Sequence, residues 1–283
     1  MDMDGLVFTA VLFAAACHAA WNAVIKVGRD PLPATVLITT GAGLIAFALL
    51  PVTGLPPLAA WPWVIASIVI HLLYFIGLSE AYRTGDLGQV YPLARGAAPL
   101  MTAIAAVSLI GDWISPLGWA GIVVLVGGVV LLSARGGRDI ATVDRRALGF
   151  ALFTAVTICA YTLVDGIGAR VAGNPHPYTL AMFAGNGIAM LIYGYVRRGP
   201  SLWPLMRPYW MAGAGGGALQ LLSYGIAIWA MTLAPIAIVA ALRESSVLFG
   251  AAIGIVFLKE PVRPARLVAA ALILLGLLLL RLG

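Results

Sequence analysis

Charged residues are scarce in this chain of 283 residues, at 10% of the sequence against 62% hydrophobic residues. Soluble domains carry roughly 25% charged residues, so this composition excludes an ordinary soluble protein. It predicts an integral membrane protein whose main partner is the lipid bilayer. The net charge of +6 therefore reports on orientation in the membrane, and we expect no nucleic-acid partner.

The residues of catalysis and metal binding are also few. The chain has 11 acidic residues and 3 histidines, without the HExxH, HxxxH or paired-aspartate patterns of metal-dependent enzymes. It lacks a Walker A motif, so ATP is not the direct energy source. Cys17 and Cys159 fall inside predicted spans and are not expected to form a structural disulfide. We expect no enzyme, no metal and no cofactor, with a membrane-embedded enzyme as the remote alternative.

Long apolar runs are what the chain does contain. Runs of about 20 residues, enough to cross a bilayer as a helix, alternate with short turns rich in proline, glycine and charge. The fold class that follows is all-α. The runs predict ten transmembrane helices, near residues 5–26, 33–51, 61–83, 88–110, 115–134, 147–170, 177–196, 208–232, 236–258 and 262–281.

The second half of the sequence repeats the first. A shift of 148 residues aligns Arg95 with Arg243 and Asp112 with Glu260, without a gap from 72 to 132. Shared arginines and glycines at fixed spacing are not expected by chance, even in so apolar a chain. Further matched pairs, at this shift or at a shift of 144, are Gly77 with Gly225, Gly128 with Gly276, Lys26 with Arg170, and Gly43 with Gly187.

The longest polar connection, residues 135–146, separates two sets of five predicted spans. We therefore predict a first repeat at 1–134, a basic connecting loop at 135–146 and a second repeat at 147–283. An odd number of spans in each repeat requires the second copy to be inverted in the membrane. Two inverted five-helix repeats around a central cavity are the architecture of many secondary transporters.

Lysine and arginine are distributed unevenly between the two sets of predicted loops. Positive charge is retained on the cytoplasmic side, so the bias predicts a bacterial inner-membrane protein with both termini outside the cytoplasm. The opposite side holds little beyond Arg170 and Arg281. The loops after the odd-numbered spans hold Lys26, Arg29, Arg83, Arg135, Arg138, Arg145, Arg146, Arg197, Arg198, Arg207, Lys259, Arg263 and Arg266.

The two matched arginines are the first candidates for function. Arg95 and Arg243 lie about eight residues into their spans, or roughly 12 Å deep at 1.5 Å per residue. A guanidinium in hydrocarbon costs about 2.5–3.5 kcal/mol on insertion scales, so each needs a partner, a cavity or a task. We predict that both bind substrate. The alternative is a structural role, either a salt bridge or the capping of a broken helix.

Carboxylates near these arginines are candidates for proton coupling. Glu244 follows Arg243 directly and Ser245 follows Glu244, while Asp165 lies in the sixth span. Burial disfavours the charged form of a carboxylate, which suits Glu244 and Asp165 to taking up and releasing a proton. A locked ion pair with one of the arginines is an equally weighted alternative.

Polar and aromatic side chains in the spans complete the predicted substrate-binding set. In the first span, His18, Asn22 and Lys26 are spaced four residues apart and form one polar stripe, with Trp21 beside it. Lys26 alone is also suited to snorkelling to the interface. Deep aromatics beside an arginine suit an apolar or aromatic body that carries an anionic group, although core packing is the ordinary role of each. The aromatic candidates are Tyr74, Tyr82, Tyr91, Tyr161, Tyr224 and Trp229.

Two longer motifs carry a family resemblance. HAAWNAVIK at 18–26, AYRTGDLGQVYPLARGAAPL at 81–100, the five-plus-five repeat and the acidic Asp112 and Glu260 resemble EamA-type members of the drug/metabolite transporter superfamily. The resemblance covers essentially the whole chain. It implies a central cavity lined largely by spans 1, 3, 4, 6, 8 and 9. Many members have cytoplasmic termini, whereas the charges here predict the reverse, and we follow the charges.

The leading hypothesis is a secondary transporter that exports small amphipathic metabolites by alternating access. Amino acids, including aromatic and hydrophobic ones, are the substrate class we expect first. The alternatives are a passive facilitator that uses the same cavity and an exporter of other metabolites or drugs. Tight packing of the repeats is compatible with a functional monomer, and a dimer is the alternative.

Overall fold

A computed structural model describes residues 4–26, 31–84, 87–133, 145–258 and 264–283. Side chains are described outside 24–31, 78–95, 133–147 and 257–263. Every regular element in these ranges is helical. The α-helices are α1 (Gly5–Lys26), α2 (Pro31–Thr53), α3 (Trp61–Thr84), α4 (Leu87–Ala105), α5 (Pro116–Ser133), α6 (Arg145–Ala172), α7 (Pro175–Arg198), α8 (Leu202–Met206), α9 (Trp210–Met231), α10 (Ile236–Arg243), α11 (Ser246–Leu258) and α12 (Pro264–Leu282).

Local sequence signals explain several helix ends. A π-helical turn, Ala106–Ile110, extends α4 and ends at Gly111, whose φ of 77° is left-handed, a conformation that glycine adopts without steric cost. At the start of α7, the side chain of Asn174 accepts a hydrogen bond from the backbone N–H of His176 over 3.0 Å. Pro175 occupies the first turn of that helix, where its missing N–H costs nothing.

Seven helical stretches in the described ranges are long and apolar enough to cross a membrane, and two shorter apolar helices, Gly96–Ile110 and Pro116–Leu132, accompany them. The stretch Pro175–Met231 contains both α7 and α9. The predicted count of ten transmembrane helices therefore stays a prediction. The seven stretches are Gly5–Ala23, Leu32–Thr53, Leu58–Gly77, Leu148–Ala172, Pro175–Met231, Ile236–Val256 and Pro264–Leu282.

One predicted span is not a continuous helix. The apolar run at 236–258 is interrupted after Arg243, where α10 ends, and α11 begins at Ser246. At the break, the backbone N–H groups of Glu244 and Ser245 donate to the carbonyls three residues earlier, Ala241 and Leu242, over 3.0 and 3.1 Å. Such tight turns inside a helix often mark a functional position.

Helix contacts between the two halves come in related pairs. α2 packs on α7 and α5 packs on α12, while α3 packs on α6 much as α9 packs on α1. Likewise, α4 contacts α6, and α10 and α11 contact α1. If each helix is replaced by its counterpart in the other half, every one of these contacts becomes itself or another contact of the set. This pattern is expected when two repeats pack about a pseudo-twofold axis.

Glycines allow the closest of these contacts. A Cβ atom added to Gly43 of α2 would lie 2.8 Å from the Cα atom of Gly187 in α7, and the reverse distance is 2.9 Å. These two glycines are the pair that the 144-residue shift aligned. At α5 and α12, an added Cβ on Gly128 would lie 2.9 Å from the Ala269 carbonyl, and one on Gly276 would lie 2.7 Å from the Leu125 nitrogen. Backbones approach this closely only where a side chain is absent.

Apolar side chains lie on the surface of the molecule, and polar side chains lie in its interior. Large apolar side chains such as Leu44, Phe47 and Leu109 are exposed on the outer surface, whereas Asp165, Glu244 and a group of threonines are buried. A soluble protein has the reverse arrangement. Polar groups inside a membrane protein face the helix bundle or a cavity, and the buried polar residues therefore locate the candidate site.

Candidate functional site

Two small cavities lie between the helices and share the side chains of His18, Tyr161 and Arg243. The larger, which we call the aromatic cavity, has a volume of about 50 Å³. The smaller, which we call the Glu244 cavity, has a volume of about 20 Å³. A water molecule needs roughly 10–15 Å³ of such space, so each cavity as it stands has room for one to a few water molecules and is smaller than an amino acid. Beside the shared residues, the aromatic cavity is lined by Trp21, Thr39, His71, Tyr74, Phe75, Phe183, Asn186, Gln220 and Tyr224.

Aromatic rings from both halves surround the aromatic cavity. The Tyr161 ring stacks on the His71 ring, with centroids 4.2 Å apart and an interplanar angle of 23°. Tyr74 and Tyr224 meet Tyr161 edge to face, with centroid distances of 5.7 and 5.8 Å. Such pairs contribute about 0.5–1.5 kcal/mol each beyond the area they bury. The cavity wall is therefore a connected aromatic surface.

Arg243 carries positive charge to this aromatic wall. Its guanidinium carbon lies 4.6 Å from the centroid of the Tyr224 ring, inside the range of a cation–π contact. No described carboxylate forms a salt bridge with Arg243, and the salt bridge between Arg170 and Asp112 lies elsewhere. The guanidinium lines both cavities, where it can bind an anionic group of a ligand.

Asp165 is held behind the cavity wall by two tyrosines. The Tyr178 hydroxyl donates to one carboxylate oxygen over 2.9 Å, and the Tyr224 hydroxyl donates to the other over 2.6 Å. Asp165 is fully buried and lines neither cavity. Tyr224 thus connects this buried carboxylate to the ring face under Arg243, and the carboxylate orients that ring.

His71 is tied to its own helix in this arrangement. Its Nδ1 atom lies 3.0 Å from the backbone carbonyl of Ser67 and 3.2 Å from the Ser67 hydroxyl. Both contacts use Nδ1, so His71 contributes to the cavity wall a flat ring that is held in place from α3.

The comparisons with known proteins agree with this architecture. The profile of the EamA-like transporter family matches residues 5–134 and 145–282, which together make up most of the chain. The chain belongs to the EamA-like transporter family. EamA proteins are transporters, and together with the apolar helices this membership makes the chain a multi-pass membrane protein that binds a small-molecule substrate.

One solved crystal structure of a protein superposes on this EamA chain with a TM-score of 0.73 at 18% sequence identity. The superposition covers 97% of this chain and 94% of that chain. At this identity the likeness shows the shared fold alone. The comparison with curated proteins gave no match.

The EamA structure brings half of the predicted substrate-binding residues to the two cavities. Both cavities contain residues from the two halves of the chain. The helices α1, α3, α4, α6, α9 and α10, which correspond to predicted spans 1, 3, 4, 6, 8 and 9, all contribute, as the resemblance implied. Whether these side chains bind substrate stays a prediction. The predicted residues that line a cavity are His18, Trp21, Tyr74, Tyr161, Tyr224, Arg243 and Glu244.

Four predicted residues do not line either cavity. Asn22 donates from its side chain to the His18 carbonyl in its own helix over 2.8 Å, and Trp229 packs partly buried against the core. Asp165 is behind Tyr224, as described above. Ser245 is buried at the break between α10 and α11. Three more predicted residues, Tyr82, Tyr91 and Arg95, have side chains outside the described residues.

Sequence reasoning missed several residues of the aromatic cavity. α2 and α7 also reach it, through Thr39 and through Phe183 and Asn186. His71 was considered only as a metal ligand. A signal for His71, Asn186 and Gln220 was available, because a histidine or amide inside a membrane span normally faces protein or a cavity. Thr39 gives no comparable signal, since a threonine in a helix can bond its hydroxyl to a carbonyl three or four residues earlier.

A second polar cluster lies outside the cavities and joins the two halves. Arg170, at the end of α6, donates to the carbonyls of Met231 and Ala234 over 2.9 and 3.1 Å and to Asp112 over 3.2 Å. Asp112 in turn accepts the backbone N–H of Ile236, at the start of α10, over 2.7 Å. The cluster fixes the turn between α9 and α10, and it thereby positions the helix that ends in Arg243.

Proposed function

We propose that this EamA protein is a secondary transporter that exports small amphipathic metabolites, amino acids with aromatic or other large apolar side chains first among them. The observation that carries the proposal is Arg243 stacked on Tyr224 at a cavity lined from both halves of the chain. The sequence motifs also resemble the aromatic amino-acid exporter YddG, an EamA-type member, which supports the same substrate class.

The chemistry of the cavity matches such a substrate in two parts. A carboxylate can accept charge-assisted hydrogen bonds from the Arg243 guanidinium, and an arginine is suited to binding it with two parallel bonds. An aromatic or apolar side chain can pack against the Tyr74, Tyr161 and Tyr224 rings. Because Arg243 carries a positive charge at this cavity, binding of an anionic group is favoured over binding of a cation at this position.

Transport follows from alternating access between two inverted repeats, which we place at 1–134 and 147–283 with the connection at 135–146. The paired helix contacts and the reciprocal Gly43 and Gly187 contact support this division. We propose ten membrane crossings, in which α7 and α9 cross separately and α10 with α11 forms one crossing. The small cavity volumes fit a closed intermediate between the two open states.

Proton coupling has Glu244 as its candidate carrier. Glu244 is buried and lines the Glu244 cavity beside Arg243, whereas Asp165 is held by two tyrosine hydroxyls and is suited to a structural role. A buried carboxylate that opens to one side of the membrane at a time can carry a proton with each cycle. The direction of transport that we propose is out of a bacterial cell across its inner membrane.

Uptake into proteoliposomes tests the proposal. Purified protein should take up radiolabelled phenylalanine, tyrosine, tryptophan and leucine saturably, and an imposed pH gradient should increase the rate. Glu244→Gln should remove the effect of the gradient and keep some exchange of substrate. Uptake that follows no gradient would favour the passive facilitator. A failure to move any amino acid, in liposomes where the protein is folded, would overturn the substrate class and turn the search to other metabolites and drugs.

A further inference from the structure

Three side chains that line the aromatic cavity have buried polar atoms without a hydrogen-bond partner in the described ranges. They are the Trp21 Nε1 atom, the Thr39 Oγ1 atom and the Gln220 Oε1 atom. Trp21, Thr39 and Gln220 are 8%, 2% and 8% exposed, so bulk water does not satisfy them. An unpaired buried polar atom costs about 1–3 kcal/mol, and native proteins seldom leave one without a reason.

Two neighbouring polar side chains, those of Ser223 and Asn186, have hydrogen-bond partners. The Ser223 hydroxyl, also on α9, donates to the Ala14 carbonyl in α1 over 2.7 Å. Asn186, on the wall of the same cavity, places its amide nitrogen 2.9 Å from the Met182 sulfur. The three unpaired atoms come from α1, α2 and α9, helices that contact one another. They therefore form a cluster within one cavity.

The cluster and Arg243 lie at different places along the same cavity wall. Gln220 precedes Tyr224 by one turn of α9, a rise of about 6 Å, and Arg243 contacts the ring face of Tyr224. A ligand whose carboxylate binds Arg243 can therefore extend along the Tyr224 ring toward Gln220. The far end of that ligand would meet the unpaired atoms.

The three atoms specify the chemistry of that far end. The Trp21 N–H only donates, the Gln220 oxygen only accepts, and the Thr39 hydroxyl does either. A hydroxyl group, which donates one hydrogen bond and can accept two, complements all three: it would accept from Trp21 and Thr39 and donate to Gln220. The described residues that line the aromatic cavity include no carboxylate, so an ammonium group would be buried there without compensation. A neutral hydroxyl fits the cluster better than a cation does.

We propose that Trp21, Thr39 and Gln220 form a specificity subsite for a hydroxyl at the end of the substrate opposite its carboxylate, with a phenol as the chemical class. This inference rests on the proposed function, because it places the substrate carboxylate at Arg243. A site built to hydrogen-bond a substrate hydroxyl discriminates strongly against the analogue that lacks it, since the polar groups of the site then stay unpaired.

Two pairs of probes test the subsite. Binding of tyrosine and phenylalanine, and of 3-(4-hydroxyphenyl)propionate and 3-phenylpropionate, is measured for the purified protein in nanodiscs. Each pair differs by one hydroxyl, and the second pair lacks the ammonium group. The wild type should bind the hydroxylated member of each pair roughly tenfold tighter or more. Gln220→Leu and Thr39→Val should reduce that ratio toward one, mainly by weakening the hydroxylated member.

Thr154→Val is the matched control, because Thr154 is buried and donates to the Phe150 carbonyl in its own helix. Its ratio should equal that of the wild type. Equal affinity within each pair for the wild type, or a ratio that neither Gln220→Leu nor Thr39→Val changes, would overturn the subsite. If only the propionate pair binds and shows the ratio, the subsite stands and the amino-acid substrate class fails. If neither pair binds, both are overturned.

Discussion

Asp165 and Arg243 carry opposite charges into the interior, and they are compensated in different ways. Asp165 accepts two hydroxyl hydrogen bonds within the protein, so its oxygens are already satisfied by Tyr178 and Tyr224. Arg243 contacts the face of a tyrosine ring and lines both cavities. We therefore assign Asp165 to structure and Arg243 to ligand binding, although Asp165 acts on the site through Tyr224.

Tyr178→Phe tests the structural role of Asp165. The change removes one hydroxyl donor from a buried carboxylate, and a hydrogen bond to a charged group contributes about 1.5–3 kcal/mol. The unfolding temperature of the purified protein should fall, while transport per folded molecule should persist because Tyr178 lines neither cavity. Tyr195→Phe is the control, since Tyr195 of the same helix is 59% exposed. The same unfolding temperature for Tyr178→Phe as for wild type would contradict this assignment.

Individual site residues were predictable only where their chemistry is unusual in a membrane helix. An arginine such as Arg243 is identified by its cost in hydrocarbon, and His18 by its polar stripe. The role of Asp165 was not predictable, because its partner Tyr178 belongs to the next helix and sequence gives no helix rotation. Trp229 and Tyr161 are both aromatic residues inside predicted spans, yet only Tyr161 lines a cavity. This difference was not predictable either, because sequence gives no helix rotation.

At the scale of helices, glycine decides which faces pack. The contact of α5 with α12 is formed where Gly128 and Gly276 leave no side chain between the two backbones. The neighbouring Gly127 has nothing within 4 Å of an added Cβ atom. Of these adjacent glycines in α5, Gly128 thus packs against α12, whereas Gly127 makes no such contact.

Gly128→Ala and Gly127→Ala form a matched pair that tests this contact. The Gly128 substitution places a methyl 2.9 Å from the Ala269 carbonyl, and overpacking of this kind costs about 1–3 kcal/mol. The Gly127 substitution meets open space and gains up to about 1 kcal/mol of helix propensity. Thermal unfolding in detergent should therefore rank Gly128→Ala below wild type and Gly127→Ala at or above it. Equal unfolding temperatures for the two variants would refute the role of Gly128.

Helix positions were largely predictable from hydropathy, and helix interruptions were not. The first predicted span, 5–26, coincides with α1 (Gly5–Lys26), because an apolar run of that length has few other structures available in a membrane. The break after Arg243 was not predicted, although the polar residues 243–246 lie at that point of the predicted span. The backbone there forms local hydrogen bonds three residues apart.

At the scale of the molecule, the sequence repeat and the contact pattern describe one symmetry. Gly43 and Gly187, which the 144-residue shift aligned, face each other between α2 and α7. Between α5 and α12, the aligned Gly128 and Gly276 each pack against the opposite helix, at Ala269 and at Leu125. Such contacts arise when two copies of one unit pack about an axis, and they place the cavities between the copies. Alternating access requires that the second repeat is inserted in the membrane upside down relative to the first. The orientation of the helices in the membrane tests this requirement.

Cysteine labelling tests that orientation. The loop charges predict that Asp4, near the start of α1, lies outside the cytoplasm and that Arg198, at the end of α7, lies inside. Both side chains are exposed, and the native Cys17 and Cys159 are buried, which lowers background labelling. A membrane-impermeant maleimide should label Asp4→Cys in intact cells and Arg198→Cys only after the membrane is opened. The reverse labelling pattern would refute the predicted topology.

The central claim is that Arg243, in a cavity shared by the two halves, binds the anionic end of the transported molecule. Its most direct test is tyrosine uptake by proteoliposomes that contain wild type, Arg243→Gln or Arg281→Gln. Arg281 is the control because it also lies over an aromatic ring, that of Phe8 at 5.9 Å, and lines neither cavity. We predict that Arg243→Gln loses roughly tenfold or more in apparent affinity, while Arg281→Gln keeps the wild-type value. Equal uptake by all three proteins would contradict the account.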